Sequence, residues 1–251
     1  MDKTFDAQRR AWLTAVTASA LTMTALGMAK TASAEAETAQ PSLPELTAFE
    51  SRTALKPLAF NPAKLNGLSE RLIYSHWQNN YGGSVKALAV VQQHIVQALA
   101  NKDTPPYIYN DLKREHLLRT GSVVLHECYF DNLGGNGQAG ATERKLISDS
   151  FGSFDTWETE FRRIGTGLGG GSGWVMLGFN THTGQLENYW LGDHAHGPAA
   201  TLPILVMDMY EHSYQMDYGA AATQYIDAFF KNIQWDVVAS RIELARKIRT
   251  A

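Results

Sequence analysis

The sequence predicts an α+β protein: an N-terminal helical hairpin domain, then a C-terminal domain of helices around a small three-stranded antiparallel sheet. Three observations carry this. Between Ser69 and Leu133 apolar residues recur at three- and four-residue steps, which is helix spacing. Beyond the glycine cluster Gly165 to Gly173 the pattern changes to short apolar runs separated by turns. The chain of 251 residues, 44% hydrophobic and 19% charged, is long enough for one or two domains with a substantial core.

Taken in order, Pro57 and Pro62 bracket a stretch without a clear period, and Asn66-Gly67-Leu68-Ser69 offers a turn with Ser69 as N-cap. Leu72, Ile73, His76, Trp77 and Tyr81 continue as a helix, which Gly82-Gly83 is expected to interrupt. The pattern resumes through Val85, Leu88, Val91, Ile95 and Leu99. Asp103-Thr104-Pro105-Pro106 is a break, Asn110 to Leu133 another helix, and Gly134 to Gly137 a loop and domain boundary. Thr142 to Ser150 reads as a short helix, and Ser153 caps one running to about Ile164. Trp174 to Phe179, Gln185 to Leu191 and Pro203 to Met207 read as strands, the first two joined by a hairpin loop at Asn180 to Gly184. Glu211 onward is largely helical. The expected organisation is a leader at 1–34, a mobile arm at 35–54, a helical domain at 55–137 and an α+β domain at 138–251.

Composition narrows the function. The formal net charge is −3 and no stretch is basic enough for nucleic-acid binding. Cys128 is the sole cysteine, so no internal disulfide forms and a zinc site built on several thiolates is excluded. A bound metal must be held by histidines and carboxylates. At the N-terminus, Arg9-Arg10 precedes an apolar run from Ala15 to about Met28, and Ala32-Ser33-Ala34 supplies a small-x-small cleavage site. That layout suggests a twin-arginine signal peptide and a periplasmic or otherwise exported protein, with no stable membrane association after cleavage. An N-terminal anchor is the competing reading.

Asp208 and His212 stand four residues apart, which on a helical turn aims both at one point. Alone, such a pair is commonly just a solvated helix face. His76 and His126 each lie among apolar neighbours inside predicted helices, where a lone histidine is more often a hydrogen-bonded core residue than a ligand. Two of them together with the Asp-x-x-x-His pair suggest convergence on a metal. Three imidazoles and one carboxylate suit iron or manganese, with zinc the chemical competitor.

From about Leu55 to Ala245 the chain resembles the iron/manganese superoxide dismutases. The matching segments are Ser69 to Val85, Val123 to Phe130, Phe151 to Phe154, Gly171-Ser172-Gly173-Trp174, Asp208 to Tyr214, Asp217-Tyr218 and Gln234-Trp235, with Asp208-x-x-Glu211-His212-x-Tyr214 the strongest. The resemblance implies that His76, His126, Asp208 and His212 hold one iron or manganese ion per subunit. It implies that superoxide is the substrate, converted to dioxygen and hydrogen peroxide, and that the protein is a homodimer. It gives Glu211 a bond to the last histidine ligand of the neighbouring subunit.

The residues around that implied centre depart from the family. Ser84 stands where a Tyr is usual, Asn80 where a His is usual, and Gln215 where a Tyr is usual; Phe130 replaces a common Trp. In the family the last-named Tyr meets the His across the dimer interface, and the amides of Asn80 and Gln215 can still bond to each other. The family's metal-bound solvent is held by a Gln or His. Ser122 is too short for that task, and His194, in the loop Asp193-His194-Ala195-His196, is favoured over His196. The expected function is superoxide dismutation. The alternatives are another redox activity, or metal binding alone, on the same four ligands.

Overall fold

Ser69 opens the helical half in the computed structural model, which describes residues 47–50 and 52–248. Its hydroxyl accepts from the Leu72 amide at 3.1 Å, satisfying one of the donors that a helix start leaves without partners. Helix α1 (Glu70–Ser75) leads into a π-helical turn (His76–Tyr81) and then into α2 (Gly82–Ala100). Gly82 and Gly83 therefore do not interrupt the helix as expected. Both have helical backbone, and the irregularity is the wider turn just before them, which begins at His76. Such turns recur at functional sites because they re-aim side chains without ending the helix.

After Asn101 to Pro105 the chain doubles back into α3 (Pro106–Asp131), whose first residue is a proline, and α3 packs along α2. Helix α4 (Ala141–Phe151) and α5 (Phe154–Leu168) follow, the latter capped by Ser153 Oγ, which accepts from the Thr156 amide at 3.0 Å. Helix α5 runs past Ile164 through Gly165 to Leu168, so the start of the glycine cluster is helix rather than loop. Gly165 is buried against the side-chain ends of Met207 and Ile226.

Strands β1 (Trp174–Asn180), β2 (Gln185–Leu191) and β3 (Thr201–Asp208) form one antiparallel sheet in the order β2-β1-β3. Trp174 pairs with Leu191 on one side and with Asp208 on the other, which sets the last residue of β3 beside the first of β1. The β1–β3 register shifts between Leu177 and Gly178, opposite Leu205 and Pro203. Proline lacks the amide a regular ladder needs, and an edge-strand bulge is where it fits. The chain ends with a 3-10 turn (Glu211–Ser213), α6 (Gln215–Tyr218), α7 (Ala222–Phe230) and α8 (Trp235–Arg246).

The core lies where α3, α5 and α8 cover the sheet, around Trp157, Phe161, Trp174, Tyr129 and Phe229, all fully buried. Asn132, also fully buried, joins three elements: its Oδ1 accepts from the Val206 amide at 3.1 Å, and its carbonyl accepts from the Gln234 amide at 2.8 Å. The division expected at 137/138 falls between α3 and α4, where purely helical structure gives way to helices on a sheet; the described residues on both sides belong to one compact unit. The leader at 1–34, with Arg9 and Arg10, lies outside the described residues, as does most of the arm at 35–54, of which Thr47–Phe49 form a 3-10 turn. No helix among the described residues is long and apolar enough to cross a membrane.

Candidate metal centre

Four elements deliver the four expected ligands to one place. His76 comes from the first residue of the π turn, His126 from the last part of α3, Asp208 from the end of β3 and His212 from the 3-10 turn that follows. One ligand atom from each lies within 4.8 Å of all the others. His76 Nε2 is 3.0 Å, His212 Nε2 3.1 Å and His126 Nε2 3.7 Å from Asp208 Oδ2. His76, His126 and Asp208 are buried and His212 is partly exposed.

The donor set fits a cation. The Nε2 atoms of both His76 and His126 are buried without a hydrogen-bond partner of acceptable geometry, although each faces the carboxylate. These atoms point at a shared centre rather than at one another, which is what ligation requires and what a hydrogen-bonded core would avoid. Burial pushes His76 below the usual histidine range, although Asp208 works the other way. His126 is pushed down to about 3, first by burial and then by the neighbouring His76. Both imidazoles are thus neutral, with lone pairs free to ligate. Burial works to raise the Asp208 carboxyl, but His212 and His76 outweigh it and hold it well below the ordinary carboxylate range. Three imidazole nitrogens and one carboxylate oxygen match iron or manganese.

The surroundings fix these ligands. His126 Nδ1 lies 2.7 Å from the Ser122 carbonyl and donates to it, which leaves Nε2 unprotonated. Asp208 Oδ1 accepts from the Tyr210 amide at 2.9 Å, and the Asp208 carbonyl accepts from Tyr225 Oη at 2.7 Å and Ser213 Oγ at 2.9 Å. Trp174 packs edge-on against His126, and Tyr129 and Phe130 lie against His76.

Of the two loop histidines, His194 turns toward the ligands. Trp174 Nε1 donates to its Nδ1 at 3.0 Å, and its ring centroid is 5.8 Å from that of His126. With Nδ1 accepting, the neutral ring carries its proton on Nε2. Burial lowers the His194 pKa and favours that neutral form. His196 is exposed, with its Nδ1 2.8 Å from Asp193 Oδ1. Ser84 is buried and its hydroxyl is 2.8 Å from that of Ser122, whose Oγ is in turn 3.3 Å from His126 Nδ1. Asn80 is half-buried on the π turn. Glu211 and Gln215 are exposed, and among the described residues their side chains make no hydrogen bond or ion pair.

Sequence reasoning passed over Tyr210 and Tyr225. Tyr210 lies flat between His194 (4.7 Å, 12°) and His212 (5.3 Å, 18°), and its phenol is pushed up to about 12 by burial and by the Asp208 charge. Its place between Asp208 and Glu211 was a usable signal. For Tyr225, seventeen residues beyond Asp208, none existed.

A cage of three imidazoles and one carboxylate, closed by helices and the end of a small sheet, is the donor set of a mononuclear metal site. Comparison with known proteins gives its family. Residues 139–241 match the model of the C-terminal domain of iron/manganese superoxide dismutases. The iron superoxide dismutase of Cupriavidus metallidurans is 49% identical over 191 residues, covering 76% of this chain and 96% of that protein. That of Aquifex aeolicus is 35% identical over 193 residues, covering 74% and 89%. A manganese superoxide dismutase of Haloferax volcanii is 28% identical over 183 residues, covering 71% and 88%. This chain belongs to the iron/manganese superoxide dismutase family.

Proposed function

We propose that the protein dismutes superoxide at one iron or manganese ion held by His76, His126, Asp208 and His212. The observation that carries this is the convergence of four ligand atoms within 4.8 Å. Its force comes from the two buried Nε2 atoms that have no other use. The ion would supply one-electron chemistry, oxidising one superoxide to dioxygen and reducing a second to peroxide. The protein's own groups then have three tasks. Burial keeps His76 and His126 neutral, so protons do not compete for their lone pairs. The depressed Asp208 keeps one negative charge in the cage at neutral pH. His194, oriented by the Trp174 indole, offers an Nε2–H to a small oxygen species or water entering the site.

The reading extends to assembly and location. Glu211 and Gln215 are exposed on the protomer, as residues that act between two copies must be, and Asn80 lies on the same helix as His76. A homodimer in which Glu211 reaches the partner's last histidine ligand accounts for them. The paired arginines, apolar run and small-x-small site support export in the folded, metal-loaded state. A second reading, metal binding with little dismutation, draws on Ser84, whose hydroxyl is tied to Ser122.

Metal analysis of protein from its native host, paired with a superoxide assay, tests the proposal. One iron or manganese per chain with dismutation is expected, and Asp208→Ala is expected to lose both together because three imidazoles cannot close the sphere. Full metal without dismutation overturns it in favour of the second reading.

A further inference from the structure

The structure assigns Gly121 a positioning role: it is the seat that fixes His194, and it works only because it carries no side chain. The inference rests on the reading of His194 given above and names what holds that residue in place.

Gly121 lies deep inside the 26-residue helix α3, where glycine costs about 1 kcal/mol relative to alanine. A Cβ built there would fall 1.8 Å from the carbonyl oxygen of His194, 2.9 Å from its carbonyl carbon and 3.7 Å from its Cα. The obstruction is backbone, so no rotamer change relieves it. To restore an ordinary C···O separation of about 3.3 Å the loop would have to retreat by roughly 1.5 Å. Helix α3 therefore runs directly against the loop with nothing between them.

The loop has little freedom to retreat. Asp193 Oδ1 accepts from the amides of Ala195 (2.6 Å) and His196 (3.1 Å), a local turn that sends His196 outward. The His194 ring is held by the Trp174 indole at 3.0 Å and by the parallel face of Tyr210 at 4.7 Å. Indole, phenol face and bare helix backbone thus act as three sides of one clamp, and Gly121 is the side that sets the distance between the loop and α3. Gly167 in α5 gives the contrast: a Cβ there meets nothing within 4 Å.

Displacing a working group by about 1 Å can lower a rate on the order of a hundredfold. The test compares metal-loaded Gly121→Ala, His194→Ala, their double variant and the control Gly167→Ala. Each is measured for metal content, dismutation rate and solvent-exchange protection of the Trp174 indole N–H. Gly121→Ala is expected to keep its metal, lose at least tenfold in rate and lose indole protection. On the His194→Ala background it should lower the rate by less than about twofold, since its effect runs through His194. Gly167→Ala should match the parent. Retained rate and protection in Gly121→Ala overturn the inference, and so does a loss that adds fully to that of His194→Ala. If His194→Ala itself keeps the parent rate, the reading of His194 falls, and indole protection alone then decides the seat. If Gly121→Ala does not fold, Asp193→Ala in the same chain should rescue folding by freeing the loop while the rate stays low; failure of that rescue also overturns the inference.

Discussion

Lowering the pH should weaken the metal-free protein, and His126 lets the size of the effect be worked out. Its ring is 1% exposed, and burial, followed by the neighbouring His76, holds its pKa at about 3. In the unfolded chain it titrates near 6.5. Between those values the unfolded state binds a proton that the folded state refuses. Stability is therefore full above about pH 6.5 and falls as the pH drops through that value towards 3. From about pH 7.5 to about pH 5 this single residue removes roughly 2 kcal/mol, or on the order of 4–8 °C in Tm for a chain of this size. His76, lowered in the same direction by burial, adds to the slope. The assay is chemical denaturation of the metal-free protein at several pH values, beside His126→Gln, which removes the titrating group. The variant's stability should change by about 2 kcal/mol less across the same range. Equal slopes would refute the claim that His126 is held neutral by burial.

Four further outcomes are expected. His194→Ala should keep the metal and lose much of the activity while His196→Ala does little, read as rate per bound metal; the reverse pattern would move the role to His196. Glu211→Ala should weaken self-association and loosen metal retention in one sample, followed by light scattering and metal analysis; an unchanged dimer with full metal would remove Glu211 from the interface. Asn132→Ala should cost about 1–3 kcal/mol in denaturant unfolding, since the buried amide of Val206 loses its acceptor; a loss under about 0.5 kcal/mol would mean another group takes over that amide. Replacing Arg9 and Arg10 by Lys should leave the protein inside the cell, folded and metal-loaded; normal export would point to the general secretory route.

Much of the fold was legible because it rests on local patterns. Ser69 and Ser153 cap helices as their sequence settings imply, since a cap depends only on the residue and the amides two or three places on. The three strands appear where short apolar runs lie between turns, and β2 spans Gln185–Leu191 as read. The glycines were less legible. Gly82 and Gly83 stay helical at the start of the 19-residue α2, whose other residues outweigh the cost of two glycines, and Gly165 stays helical where α5 meets Met207 and Ile226. Propensity reports the backbone cost of glycine and nothing of what lies across from it.

The four ligands could be singled out because the type and spacing of Asp208 and His212, and the apolar settings of His76 and His126, are written in the chain. The order of residues by itself thus determined the helix-then-sheet architecture, the donor chemistry and its resemblance to one family. Only the tertiary structure decided how those donors meet: that two buried Nε2 atoms lack any other partner, that His194 rather than His196 turns inward, and that Ser84 bonds to Ser122. The Ser84–Ser122 contact spans 38 residues and the Trp174–His194 contact 20. Such pairings are set by how α2, α3 and the sheet pack, a long-range outcome of core burial that no local period or motif encodes.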